Sequence, residues 1–490
     1  MRNKSLLASI ICASFFSPQL VYAEEQPLNL VIFYVDDLGY GDVGSYGHPI
    51  VQTPNIDRLA EEGIRYTQYY APAPLCSPSR AGMLTGRTPY RTGVRSWIPE
   101  GGKEHIGNNE ITLANLLKDK GYDTAIMGKQ HLNGGVEMKD HPQSKDMGFE
   151  YSFIIPGGWA DNDEVKHSKP TINGFREGKV YPDNFWRNGK RVSAMNKFSA
   201  EMVSDEVISY LEKREDSEKP FFLYIPYSEV HSPLAAPSRF LSMYSNYISP
   251  FAQKFPDAWY FDWSKQPYRG QGEYYANISF MDEQLGRVVD KIKAMGKEDN
   301  TIIIFTSDNG PVTREARKPY ELNAAGETSG LRGRKDNLFE GGIRVPSIIK
   351  YGAEIKAGQV SDVPVTGLDL LPTLAEMMGF IVPNDRELDG QSITATFKNK
   401  ALKRKKPMIW TIDMPNQDDP VNEWAIRDGD WKLILDRDEK PKYLFNISND
   451  PYEMWNQLGK NEPILEKMLR ELTKYKNSID NDNIKAQREV

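Results

Sequence analysis

Cysteine is nearly absent: the 490 residues hold two, Cys12 and Cys76. That excludes a disulfide-stapled scaffold, which needs paired thiols at high density. A basic surplus is missing as well. Lys and Arg number 61 against 68 Asp and Glu, and a formal charge of −7 excludes a general nucleic-acid binder. No apolar run reaches the roughly 20 residues of a membrane-spanning helix, so stable membrane insertion is not expected. Disorder is excluded by an apolar content of 39%, ample for a sizeable core.

Residues 1–23 have the layout of a secretory signal. Arg2 and Lys4 open it, Leu6 to Phe16 form its apolar stretch, and Val21-Tyr22-Ala23 end it in small-residue style. Cleavage after Ala23 predicts export, to the periplasm or beyond, and leaves Cys76 as the single thiol of the mature chain. One thiol cannot form an internal disulfide.

Short apolar runs then alternate with amphipathic stretches. Strands are expected at 28–35, 123–127, 221–225, 301–306 and 345–350. Helices are expected at 55–62, 112–120, 202–213, 273–295 and 368–378. Runs such as NLVIFYV and NTIIIFT are continuously apolar, as parallel strands covered on both faces must be. The alternation predicts a doubly wound α/β sheet. The basic cluster at 398–406 (KNKALKRKK) reads as a solvated hinge. Beyond it, strands at 407–412, 423–427, 431–435 and 442–446 and a helix at 462–478 predict a small antiparallel sheet with one helix. The expected organisation is a signal at 1–23, a main domain at 24–400 and a C-terminal α+β subdomain at 401–490. Residues 151–195 and 240–270 are rich in Gly, Asn, Pro and aromatics without periodicity, which reads as long functional loops.

Ligands of open α/β sheets bind beyond the carboxyl ends of the strands. There stand Asp36 and Asp37, then Lys129 and His131, then His231, then Asp308 and Asn309. Singly, Asp-Asp is commonly a helix cap and Asp-Asn-Gly a turn. Four such groups at one sheet edge converge instead. Three Asp and one Asn are hard oxygen donors that suit Ca²⁺ first, Mg²⁺ second and zinc a distant third. Arg80, Lys129, His131, His231 and Lys335 add cationic or proton-carrying groups. A metal and several cations around one point suit a compact tetrahedral dianion or its transition state. Phosphate or sulfate ester hydrolysis follows, with phosphodiester and phosphonate chemistry still open.

Around Cys76, Ser77 is placed to cap a helix and Pro78 to take its first position, which sets Cys76 at a positive helix end that favours a thiolate. The segment Cys76-Ser77-Pro78-Ser79-Arg80, followed by Thr85-Gly86-Arg87, resembles the signature of the formylglycine-dependent (type I) sulfatases. Residues 29–40 (NLVIFYVDDLGY), 53–63 (TPNIDRLAEEG), 121–132 (GYDTAIMGKQHL), 301–310 (TIIIFTSDNG) and 331–346 (LRGRKDNLFEGGIRVP) resemble further sulfatase blocks in the family's order. The resemblance implies an alkaline phosphatase/sulfatase-like mixed sheet and a Cys76 oxidised by a formylglycine-generating or sulfatase-maturing enzyme. It also implies calcium held by Asp36, Asp37, Asp308, Asn309 and the modified residue 76. Arg80 would steady the aldehyde hydrate, His131 would contact it, and Lys129, His231 and Lys335 would hold the sulfate. Two departures stand out: Gln130 lies where many relatives carry Trp, and Arg334 where a small residue is common.

The resemblance further implies a sulfated carbohydrate substrate, with an exported polysaccharide sulfatase of bacterial type, carrageenan sulfatase-like, as the leading expectation. A hexosamine-6-sulfate of host glycans is the alternative. Trp159, Tyr181, Trp186 and Tyr320 are candidate stacking platforms for sugar rings. His105, His141, His167, Arg176, Arg314 and Arg317 are candidates for further anionic groups. Two rivals are a phosphatase or phosphonate hydrolase of the same superfamily and a non-catalytic, calcium-stabilised glycan-binding protein. The sequence leaves the oligomeric state open.

Overall fold

The computed structural model describes residues 26–157, 182–193, 195–231, 234, 236–247, 271–312, 325–413 and 424–482; the signal segment lies outside them. Its main sheet has ten strands in the order Gln359–Ser361, Ile64–Tyr66, Ser347–Lys350, Thr301–Ser307, Asn29–Val35, Phe221–Ile225, Asp123–Lys129, Tyr151–Ile155, Trp186–Arg187 and Lys190–Arg191. The five strands from Thr301–Ser307 to Tyr151–Ile155 pair in parallel, while Ser347–Lys350 runs antiparallel to both of its neighbours. The expected doubly wound mixed sheet is therefore present.

The continuous apolar runs follow from the double cover. Along the central strand, Val31, Phe33 and Val35 enter one core with the helices Pro54–Glu62, Ser199–Glu212 and Gln271–Ala294. Leu30, Ile32 and Tyr34 enter the other with Cys76–Thr85, Leu113–Asp119 and Leu370–Met378. Both sides of each strand are dry, so alternation disappears from the sequence.

Three expectations need correction. Residues 151–155 are a strand rather than the start of a loop, because the run YSFII pairs in register with Ala125 to Lys129. A helix, Ser238–Met243, straddles the start of the second expected loop. The basic cluster is anchored and not a free hinge: Arg404 grips Asp369 at 2.7 and 3.0 Å, and Lys406 meets Glu387 at 2.7 Å. Those acids are remote in sequence, so composition alone could not reveal them.

The C-terminal strands Met408–Thr411, Trp424–Asp428, Trp431–Leu435 and Pro441–Asn446 form the expected antiparallel sheet. One face is covered by the helix Glu462–Asp480. The other packs on Tyr70, Leu75, Leu338, Phe339 and Ile343, which flank Cys76 and Lys335 in sequence. Within this seam, buried Lys432 lies 2.9 Å from both Glu340 and Glu453. Removing one partner of such a cluster leaves uncompensated buried charge. Lys432→Met is expected to cost about 3–5 kcal/mol in equilibrium urea unfolding; a loss under about 1 kcal/mol would show that the seam does not depend on this charge.

Candidate active site

Strand register builds the site. Asn29–Val35 and Thr301–Ser307 pair in parallel from Asn29↔Thr301 to Val35↔Ser307, so both end at one level. Asp36 and Asp37 thus leave the sheet beside Asp308 and Asn309. The Asp37 amide donates to Asp308 Oδ1 at 3.1 Å, and the Asp308 amide to the Val35 carbonyl at 3.0 Å. Asp36, Asp37 and Asp308 each bring one oxygen within 4.8 Å of the others, all buried. Asp37 holds φ at 61°, left-handed backbone that only a few residue types tolerate and that clusters at functional sites.

Such a concentration of buried negative charge requires counter-charge. The Lys129 ammonium lies 2.5 Å from Asp36, and that of Lys335 lies 2.6 Å from Asp37. Arg80 reaches Asp308 through Nη2 at 2.6 Å and Nε at 3.1 Å, and donates to the Lys129 carbonyl at 2.8 Å. His231 Nε2 lies 3.7 Å from Asp37, and its side chain is 18% exposed where Lys129, Arg80 and the carboxylates are sealed. Burial pushes Asp37 upward, but the charges of Lys335, His231 and Lys129 outweigh it and hold the carboxyl at about 2. At Asp36 burial prevails over Lys129, and with Asp308 and Asp37 it pushes the carboxyl up to about 8.

The donor set fits a divalent cation on its own terms. Among the described residues, buried Asp36 Oδ1 (3.7 Å from Arg80 Nη2) and Asn309 Oδ1 have no hydrogen-bond partner, whereas Asn309 Nδ2 donates to Asp37 at 2.7 Å. Orphaned buried oxygens beside carboxylates call for a positive ligand, and all of them are hard donors.

His131 leaves the next strand end, again with positive φ, 53°. Its Nε2 faces the Ile98 carbonyl at 2.9 Å, and a carbonyl only accepts. The ring proton therefore sits on Nε2, and buried Nδ1, which has no hydrogen-bond partner among the described residues, carries the lone pair. Burial, followed by Lys129 and Arg80, holds this imidazole well below its ordinary range, so it is neutral and its lone pair is open. Upstream, Gly128 allows the close approach: a Cβ there would sit 2.0 Å from the Pro226 carbonyl.

Cys76 is the first residue of its helix, with Leu75 at the cap position. The expected cap, Ser77, lies inside the first turn and accepts instead from the Ile98 amide at 3.1 Å. The expected thiolate is not favoured either. Burial pushes the thiol up, and the pull of Lys129 and Lys335 does not offset it while Asp36 and Asp308 push further. Lys129, Lys335, Asp36 and Asp308 thus all act on Cys76.

Arg80, Lys129, His131, Lys335 and the four oxygen donors are thus brought together, with His231 at the rim. Trp159, His167, Arg314 and Arg317, like Arg176, Tyr181 and Tyr320, lie outside the described residues. Trp186 packs against the core from its strand and is half-buried. Gln130 is buried and accepts from Ser144 at 2.5 Å; Arg334 donates to the carbonyls of Val312 and Gly326. Sequence reading missed Asp42, which accepts from the amides of Gly39 and Glu327 at 2.6 and 2.7 Å and from Tyr274 at 2.6 Å, tying the loop after Asp37 to the segment that leads to Lys335. A lone Asp among glycines gave no signal for that.

Comparison with known proteins gives the family. The model of the family "Sulfatase" matches residues 28–380, and that of "N-sulphoglucosamine sulphohydrolase, C-terminal" matches residues 333–478. N-acetylgalactosamine-6-sulfatase of Rattus norvegicus is 32% identical over 407 residues, 81% of this chain and 70% of that protein. N-acetylgalactosamine-6-O-sulfatase of Bacteroides thetaiotaomicron is 28% identical over 93% of each chain. Among solved structures, Ps i-CgsB in complex with k-i-k-neocarrahexaose superposes with a TM-score of 0.75 at 28% identity, covering 92% of this chain and 93% of that one. A phosphonate monoester hydrolase of Agrobacterium radiobacter shares the fold at 19% identity and TM-score 0.67, covering 92% and 96%.

Ca²⁺ at a hundredfold excess over its dissociation constant is expected to stabilise the protein by about 2.7 kcal/mol in thermal or urea unfolding. Chelation should reverse the gain, and Asp308→Asn should greatly reduce it. An unfolding curve for the wild type that is indifferent to Ca²⁺ and Mg²⁺ would contradict the fit.

Proposed function

The chain belongs to the sulfatase family and is a sulfuric ester hydrolase, and from that premise we propose that it removes sulfate from a sulfated polysaccharide or oligosaccharide, using Ca²⁺ and a formylglycine made from Cys76. One observation carries the reading: three buried carboxylates with orphaned donor oxygens, ringed by Arg80, Lys129, Lys335 and a neutral His131, beside a helix that starts at Cys76. Plain glycan binding needs no such set. An algal galactan such as carrageenan is the leading substrate, supported by the neocarrahexaose bound to the structural neighbour. A hexosamine-6-sulfate is the second reading, supported by the names of the relatives.

Asp36, Asp37, Asp308 and Asn309 would hold the cation, which when bound polarises oxygens and lowers the proton affinity of a bound hydroxyl. The hydrated aldehyde at residue 76, supplied by a maturation enzyme with its own oxidant, gives a hydroxyl to attack sulfur and a second one whose deprotonation expels sulfate. Arg80 fixes the helix that carries residue 76 against Asp308. Lys129 and Lys335 bind the sulfuryl oxygens and stabilise charge that spreads over them. A sugar alkoxide leaves poorly, so His231, the proton carrier at the rim of the ring, gives it a proton, with Lys335 assisting. His131 takes the proton of the second hydroxyl at Nδ1, the nitrogen that the Ile98 carbonyl leaves bare.

The chain is proposed to act after export, with residues 1–23 removed, and to be divided near residue 400.

Protein produced with a maturation enzyme should show an aldehyde, not a thiol, at residue 76 by peptide mass spectrometry. Cys76→Ala should then retain the fold and lose turnover of aryl and sugar sulfates; persistent hydrolysis would refute the nucleophile. Aryl sulfate should be turned over far faster than aryl phosphate, and the reverse order would favour a phosphatase. For His231→Ala the loss should reach about 10²-fold or more on sugar sulfates and be milder on activated aryl esters. Equal losses would remove its role as acid.

A further inference from the structure

Two histidines outside the catalytic cluster share an orientation that its chemistry does not use. His105 Nδ1 lies 2.7 Å from the Ile106 carbonyl, and His141 Nδ1 lies 2.7 Å from the Asn133 carbonyl. Carbonyls only accept, so each Nδ1 carries the ring proton and each neutral ring keeps its lone pair on Nε2. The two segments are joined where the Ile106 amide donates to the Leu132 carbonyl at 2.9 Å and the Gly101 amide to the Gly134 carbonyl at 2.8 Å. The rings are neighbours, with centroids 4.4 Å apart and planes tilted by 40°. Among the described residues neither Nε2 has a hydrogen-bond partner. His141 also lines a cleft of about 350 Å³ together with Asn108, Lys139, Asp140 and Asp146.

We propose that His105 and His141 form a second metal site that takes a borderline divalent cation, Zn²⁺, Ni²⁺ or Cu²⁺, through their paired Nε2 atoms. A histidine ligand typically donates its other ring N–H to a backbone carbonyl or carboxylate, which fixes the tautomer and aims the ring; both rings have that support here. Imidazole pairs select Zn²⁺, Ni²⁺ and Cu²⁺, whereas the all-oxygen cluster selects hard cations, so the two sites sort different ions. The location gives the site a consequence. The segment that bears His105 also bears Ile98, whose carbonyl orients His131, and the segment that bears His141 begins at His131 itself. An ion across the two rings staples the mount of the proposed base.

The test uses the full chain with Ca²⁺ in excess, so that the oxygen site is filled. Zn²⁺ and Ni²⁺ are titrated calorimetrically into the wild type, His105→Ala, His141→Ala and the double variant. Saturable binding to the wild type is expected, at least about tenfold weaker in each single variant and absent from the double. Equal binding by wild type and double variant would overturn the site, as would a response to inorganic sulfate but not to metal. Should the variants fail to fold, Cu²⁺ electron paramagnetic resonance on the wild type decides: nitrogen couplings from two imidazoles support the site, and their absence refutes it.

Discussion

Three carboxylates forced into one dry space are the constraint around which the active end of this molecule is organised. Desolvating each ion costs several kcal/mol, and their mutual repulsion adds to that. The fold tolerates the arrangement because the flush register of two central strands brings the acids together while Arg80, Lys129 and Lys335 arrive from three other segments. The cations point inward because the anions require it. The same cations then stand where a sulfuryl group can use them, so one electrostatic balance serves both stability and binding.

Burial sets the protonation states in ways that a list of residue types would not suggest. A thiol at a helix start is ordinarily activated, yet at Cys76 the loss of water outweighs the pull of two lysines. An unmodified cysteine therefore stays the neutral thiol here. His131 shows the opposite benefit. Burial and two neighbouring cations keep it neutral, and one carbonyl fixes which nitrogen is basic.

Much of this was legible in the sequence because its causes are local. Runs such as NLVIFYV must be doubly covered strands, and polar groups just past such runs fall at the ligand-binding edge. That logic found Asp36, Asp37, Lys129, His131, Asp308 and Asn309. The resemblance around Cys76 gave the reaction, and the family match upholds it. What escaped depends on distant partners. Asp42 has meaning only through Tyr274 and Glu327, Arg404 only through Asp369, and the cap of the Cys76 helix only through the Ile98 amide that claims Ser77. The strand at Tyr151–Ile155 was hidden by the Gly- and Pro-rich stretch that follows it.

Anomalous diffraction from crystals of maturase-coexpressed protein grown with Ca²⁺ tests the central claim most directly. The account predicts one calcium peak bonded to oxygens of Asp36, Asp37, Asp308 and Asn309, with an oxygen of the residue 76 side chain in the same coordination sphere. A peak elsewhere, or a residue 76 side chain outside that sphere, would contradict it.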